Sequence, residues 1–255
     1  MKNLKTKLET SFKDKLVFVT GHTGFKGSWL CEILILLGAR VVGYSLAPPT
    51  NPSLFEQLNL ENRVENYIFD IRDKDNVIKK IFACQPDYLF HLAAQPLVRN
   101  SYREPVETYE TNVMGTIHIL EALRILENEY KKINKTCASV FVTTDKCYEN
   151  KEWESSYRES DQLGGYDPYS SSKAAAEIAI SAYRSSYMNA DKKYIDDLNL
   201  PNIGISSARA GNVIGGGDWA QDRIIPDCIR YLLKKEKIIV RNPLNTRPWQ
   251  HVLDP

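Results

Sequence analysis

KLVFVTGHTGFKG, residues 15–27, decides the fold. Residues 15–20 are a short run of β-branched and aromatic apolar side chains, the composition of a strand buried in a parallel sheet. Gly21, Gly24 and Gly27 follow at once, and residues 28–37 then read as a helix stopped by Gly38. Strand, glycine turn and helix in that order give a glycine fingerprint its physical meaning. Glycines let the backbone turn tightly, and the helix N-terminus offers unpaired N–H groups and a positive dipole end to a pyrophosphate. The spacing is G-x-x-G-x-x-G rather than G-x-G-x-x-G, with the same physical role.

Working outward, the same alternation repeats. Strands are expected at residues 40–45, 64–69, 87–92, 139–144 and 203–210. Helices are expected at 73–85, 104–129, 169–187 and 222–235, with Asp73 placed to cap the first of them. Strand–helix alternation in this order implies a parallel sheet wrapped by helices, a doubly wound Rossmann-type α/β fold. Residues 15–205 form its dinucleotide-binding domain, after an N-terminal tail over 1–14. Residues 206–255 begin a smaller substrate lobe, with a flexible glycine-rich loop over 211–219 and short strand-like pieces at 238–240 and 249–252. A polar surface loop is expected around 189–197.

One signal is missing. A dinucleotide site usually carries an acid at the end of its second strand for the ribose hydroxyls. No Asp or Glu occurs from Ile33 to Phe55, and no Arg follows the strand to hold a 2′-phosphate. The local residues leave NAD and NADP undecided, with the missing Arg weighing mildly against NADP.

The chemistry concentrates between Val140 and Lys173. A buried strand runs into Thr143 and Thr144, and Asp145 and Lys146 follow directly. Tyr169 and Lys173 stand i, i+4 on one helix face. A phenol ordinarily titrates near pH 10, and an ammonium one turn away or a positive nicotinamide ring favours phenolate. Tyr169 can then take a proton from a sugar hydroxyl while hydride leaves the same carbon, with Thr144 bonded to the same oxygen. Asp145 and Lys146 add an acid and an amine at the strand end where ligands sit in open α/β sheets. A salt bridge in a polar loop is the plainer account of that pair. His91 reads as a satisfied strand residue rather than a catalyst, since no acid partner is evident. Arg223, Arg241 and Arg247 lie beyond the glycine-rich loop, and guanidinium forks suit diphosphates.

Bulk properties exclude other classes. A net charge of +1 gives no global attraction to nucleic acid or anionic membranes. The five cysteines include no C-x-x-C, so neither a disulfide framework nor a zinc site is expected, and no other metal centre is expected. The charged first residues lack the apolar core of a signal peptide, and a reducing cytoplasmic setting fits.

At this point the motifs become familiar. TGHTGFKGSW (20–29), TDKCY (144–148), GGYDPYSSSK (164–173), RAGNVIGGGDW (209–219) and RPWQHV (247–252) resemble the CDP-glucose 4,6-dehydratases, a family within the extended short-chain dehydrogenases/reductases. The resemblance implies NAD, held by Gly21, Thr23, Gly24, Phe25, Lys26 and Gly27 and by Tyr169 and Lys173. It also implies Asp70 and Ile71 on the adenine, and Leu92, Ala93 and Ala94 lining the cofactor. Gln95, Asn212, Arg223 and Arg247 would meet the nucleotide sugar, CDP-glucose, with Arg247 on its diphosphate. Tyr169 would deprotonate the 4-hydroxyl, and Asp145 would protonate the departing 6-hydroxyl. Lys146 stands where related dTDP-glucose enzymes carry a glutamate, and it would be the C5 base. Family members run on for roughly a hundred residues past the last motif, the size of a second lobe. A homodimer formed through the helices at 104–129 and 167–187 is a further implication. Two rival readings share much of this pattern: a nucleotide-sugar 4-epimerase or a dehydratase for another nucleotide sugar, and a non-catalytic dinucleotide sensor.

Overall fold

The computed structural model describes residues 2–188, 201–241, 243–244 and 246–255, so the loop expected at 189–197 lies outside the described residues. Among the described residues the strands β1 (Leu16–Thr20), β2 (Arg40–Ser45), β3 (Glu65–Ile68), β4 (Tyr88–His91), β5 (Cys137–Val142) and β6 (Ile203–Ala208) form one parallel sheet. Its order is β3-β2-β1-β4-β5-β6. The order reverses between β1 and β4, and a crevice opens there beyond the carboxyl ends of the strands.

The helices are α1 (Lys2–Phe12), α2 (Phe25–Leu36), α3 (Leu54–Gln57), α4 (Lys74–Cys84), α5 (Val98–Arg103), α6 (Pro105–Tyr109), α7 (Gly115–Ile133), α8 (Pro168–Tyr187) and α9 (Ile224–Leu233). The two-residue period of β1 divides the core. Val17 and Val19 pack with Cys31 and Leu34 of α2, while Phe18 points the other way into a larger cluster with Val77, Leu123, Phe141 and Ile180. That larger cluster joins α4, α7 and α8 to one face of the sheet. Glu127 of α7 also accepts from the backbone N–H groups of Asn202 (3.0 Å) and Ile203 (2.8 Å), which fixes where β6 begins. Asp73 caps α4 by accepting from the Asn76 N–H, as the sequence predicts.

Four local expectations change. The N-terminal stretch is helical, and although α1 is largely exposed, Phe12 docks on Tyr88 with ring centroids 4.8 Å apart. The helix expected over 104–129 is broken. Pro105 starts α6, and a π-helical turn at Glu110–Met114 precedes α7. That turn carries the buried Asn112, whose amide bonds the Gln95 backbone and Ser172, so the wider turn coincides with a side chain the core uses. Residues 212–214 are not loop: β7 (Asn212–Ile214) pairs in parallel with β8 (Trp249–His251). Residues 238–240, although apolar, take no strand, and among the described residues they have no ladder partner.

Candidate active site

The turn after β1 is tight because two of its glycines leave no room for a side chain. A Cβ on Gly21, at φ +73°, would lie 2.7 Å from the Ala93 nitrogen. One on Gly27 would lie 2.1 Å from the Gly21 oxygen. The turn thus brings β1, β4 and α2 together. Gly24 is the N-cap of α2 and supplies no side-chain cap. The first N–H groups of the helix are left for an outside acceptor, which suits a pyrophosphate.

His22 of this turn is buried against β2, where a Cβ on Gly43 would meet its ring at 2.3 Å. Its Nε2 bonds Asn66 Oδ1 at 2.7 Å, and burial pushes its pKa below the ordinary histidine value. At the end of β2, where an acid is absent, Ser45 Oγ bonds Thr23 Oγ1 at 2.9 Å.

His91 is a satisfied core residue, as the sequence predicts. Thr20 Oγ1 accepts from the N–H groups of Leu92 (3.1 Å) and Ala93 (3.2 Å). Its own proton is then free for His91 Nδ1 at 2.8 Å, and His91 Nε2 meets Thr116 Oγ1 at 3.0 Å. Burial, followed by the charge of Lys173, pushes His91 down to about 3, so the ring stays neutral.

Thr144, Tyr169 and Lys173 converge at the end of β5. Thr144 caps a short 3-10 turn at Asp145–Cys147, and its hydroxyl lies on the side of the Tyr169 phenol, where it favours the ionised form. Tyr169 is 8% exposed and Lys173 7%. Burial pushes Tyr169 up to about 12, against the nearby Thr144 hydroxyl and the charge of Arg223. Burial, reinforced by Lys26, pushes Lys173 down to about 8. An ammonium one helical turn away would make the phenol easier to ionise, but in the protein alone desolvation outweighs its polar neighbours. A positive ring beside the phenol would act in the opposite sense.

Asp145 donates its backbone N–H to Ala210 at 3.0 Å, and its carboxylate accepts from Thr144 Oγ1 at 3.0 Å. Lys146 Nζ lies 3.5 Å from that carboxylate and 2.9 Å from Asn212 Oδ1. Thus Asp145, Lys146 and Asn212 form one polar group at the start of β7. The pair is the salt bridge of the plainer account; Lys146 borders the cleft, while Asp145 stands behind it, outside the lining.

That cleft, about 1640 Å³, is bordered by Gly21, Thr23, Gly24, Phe25, Lys26 and Gly27 along the glycine turn. Asp70, Ile71, Leu92, Ala93 and Ala94 border it at the ends of the next strands. Thr144, Lys146, Tyr169, Lys173, Asn212, Arg223 and Arg247 complete the set. Asp70 is held below the usual carboxylate range by its hydrogen bonds with Arg72. Arg223 is paired with Asp218 at 3.0 Å, while Arg247 is exposed and, among the described residues, bonds the neighbouring Thr246 carbonyl at 2.8 Å.

Gln95 is not brought to the cleft. Its amide donates to Leu97 O (3.1 Å) and Thr108 Oγ1 (3.0 Å) and accepts from Leu97 N–H (2.7 Å). The sequence reading also missed a buried group behind the site, Glu177 with Thr143, Ser207 and Arg209. The available signal was position: Glu177 continues the stripe of Tyr169 and Lys173 by one more i+4 step.

A doubly wound parallel sheet with a glycine turn after its first strand and a Thr–Tyr–Lys set at its fifth strand end defines the class. Residues 18–255 match the model for the GDP-mannose 4,6 dehydratase family, and the chain belongs to that family. It is 51% identical over 244 residues to the CDP-glucose 4,6-dehydratase of Salmonella typhimurium, across 96% of this chain and 65% of that relative. The chain therefore spans about 65% of that relative's length. An epimerase from Methanothermobacter thermautotrophicus superposes with a TM-score of 0.77 at 23% identity, covering 98% of this chain and 68% of that chain. A dTDP-glucose 4,6-dehydratase from Streptomyces venezuelae, solved with NAD bound, gives 0.74 at 23% identity over 93% of this chain and 68% of that chain. At such identity these likenesses establish the fold. Among the described residues no helix is long and apolar enough to cross a membrane.

Proposed function

We propose that this chain carries the catalytic half of a CDP-glucose 4,6-dehydratase. The observation that supports this most directly is the 51% identity to such an enzyme across the stretch that holds Thr144, Asp145, Lys146, Tyr169 and Lys173. The glycine turn, the uncapped N-terminus of α2 and the small residues Ala93 and Ala94 suit NAD, with Lys26 beside its phosphates. Bound there, NAD would accept hydride from C4 of the glucose and return it to C6.

The chain's own residues supply the proton steps. Tyr169 accepts the proton of the 4-hydroxyl, with Thr144 bonded to the same oxygen. Lys173 holds a positive charge one helical turn below and stabilises the phenolate formed. The ketone at C4 makes the C5 proton acidic. With the proton of the ion pair moved from Lys146 Nζ to the Asp145 carboxylate, Lys146 takes the C5 proton as a neutral amine. Asp145 gives its own to the departing 6-oxygen, so that water leaves across C5–C6 and the pair returns to ammonium and carboxylate. An ion pair this exposed is worth about 1 kcal/mol or less, which leaves Asp145 and Lys146 free to exchange partners when a sugar enters. Arg223 and Arg247 suit the diphosphate, since each can turn a guanidinium fork into the cleft. A 4-epimerase would share the oxidation but has no elimination for Asp145 and Lys146 to serve. We further propose a homo-oligomer that uses the exposed Val106, Tyr109 and Ile178 of α6 and α8.

The test is direct. The purified protein with NAD and CDP-glucose should form a 4-keto-6-deoxy sugar nucleotide, seen by its ultraviolet absorbance in alkali. An epimerised product, or no product at full NAD occupancy, would sink the proposal.

A further inference from the structure

We propose that Glu177 is a positioning residue of the oxidation site, tying the ends of β5 and β6 to α8 and facing the Lys173 ammonium with a negative charge from one helical turn away. The proposal deepens the dehydratase reading by adding a residue that touches neither sugar nor cofactor.

The two-residue period of the strands sets up the clamp. In β5 the buried positions Cys137, Ser139 and Phe141 face α8, so Thr143, two residues on, faces it as well. In β6 the buried Ile203 and Ile205 put Ser207 on the same side. Both hydroxyls end on one carboxylate: Thr143 Oγ1 donates to Glu177 Oε1, and Ser207 Oγ donates to Oε2 at 2.9 Å. Arg209 Nη2 donates to the same Oε2 at 2.9 Å, and Arg209 Nη1 reaches the Tyr148 hydroxyl at 2.9 Å. Tyr148 directly follows the turn that carries Asp145 and Lys146. One carboxylate, 4% exposed, therefore fixes the strand residue before Thr144, the helix of Tyr169 and Lys173, and the turn of Asp145.

A carboxylate this deep is costly unless its bonds are complete. Burial pushes Glu177 upward, but the hydrogen bonds from Arg209, Thr143 and Ser207 hold it below the usual range, and it stays charged. Around Lys173 the charged and titratable neighbours come from every side. Lys26 on α2 opposes its charge, while Glu177 on α8 supports it. His91 at the end of β4 is neutral, and Tyr169 is a neutral phenol. Cys147 is pushed up to about 12 by burial, so it carries no charge near neutrality. Glu177 is then the ionised acid among these groups.

A structural ion pair with Arg209 would explain the bonds but not a specific charge on Lys173. The experiment reads that charge on protein without substrate or cofactor. Protein labelled with ¹⁵N-lysine is titrated by NMR, with Lys173→Met assigning the Nζ signal. The midpoint should fall near the value of about 8 in the parent chain. Glu177→Gln should lower it by about 1 pH unit, a tenfold change in protonation. Arg209→Met should raise it, because the carboxylate loses its competing cation. Glu177→Asp should restore part of the shift, and Ser207→Ala, which removes no charge, should leave the midpoint in place. An unmoved midpoint in Glu177→Gln overturns the proposal, as does a shift of equal size in Ser207→Ala. If Glu177→Gln does not fold, the sign of the Arg209→Met shift decides, and a fall or no change overturns it. Failure to convert CDP-glucose would leave this titration standing.

Discussion

The two halves of the candidate site are built differently. Thr144, Tyr169 and Lys173 are buried, and Glu177 and Arg209 fix them from behind. Asp145 and Lys146 have side chains 30% and 28% exposed and are held by each other and by Asn212. The oxidation half rests on strand register and helix packing, which few side-chain changes can rearrange. The elimination half rests on polar contacts that water already competes for, each worth about 1 kcal/mol or less. On the proposed reading, the oxidation step sits in the rigid part and the elimination step in the adaptable part.

Tyr169→Phe should break the rigid half with the largest effect. It removes the phenol proposed to take the 4-hydroxyl proton, so C4 oxidation should slow by about 10³-fold while the fold is kept. Single-turnover NADH formation with CDP-glucose measures it, and a loss below tenfold would move the proton acceptor elsewhere. Lys146→Met should act on the other half alone. Exchange of the C5 proton with deuterated solvent should slow by about 10²-fold, with C4 oxidation little changed. Normal C5 exchange would remove Lys146 as the base.

The smallest effect sharpens the comparison through stability. His22 and His91 have native pKa values below 6.5, and His91 lies at about 3. Below pH 6.5 the unfolded chain therefore binds more protons than the native one, and stability falls as pH drops from 6.5 toward 3. The slope is at most about 1.4 kcal/mol per pH unit for each histidine. Urea unfolding across that range should show it, and His91→Asn should flatten it. An unchanged slope in that variant would mean that His91 is not held neutral.

Much of the frame was legible because its signals are local. β1, the glycine turn and α2 occupy one continuous stretch, and the Tyr169–Lys173 pair needs only helical spacing. Misreadings arose where a distant partner decides. Gln95 lies beside the cofactor stretch in sequence, but Thr108 and Leu97 occupy its amide. Residues 212–214 look like glycine-rich loop until β8 arrives from 249–251 to pair with them. Asn112 sits in what reads as an unbroken helix, yet its contacts with Gln95 and Ser172 coincide with a wider turn.

The sequence by itself determined the parallel α/β frame, the glycine turn and the Thr–Tyr–Lys set, because the periods of strand and helix and the freedom of glycine are properties of the local chain. It also placed Asp145 and Lys146 directly after Thr144. Only the tertiary structure decided that Glu177 belongs behind that set and that Gln95 faces inward. It also decided that desolvation, rather than the nearby ammonium, governs the phenol in the protein alone. The physical reason is that burial and hydrogen-bond pairing are set by residues far apart in the chain, and these govern both the cost of a charge and the direction a polar side chain takes.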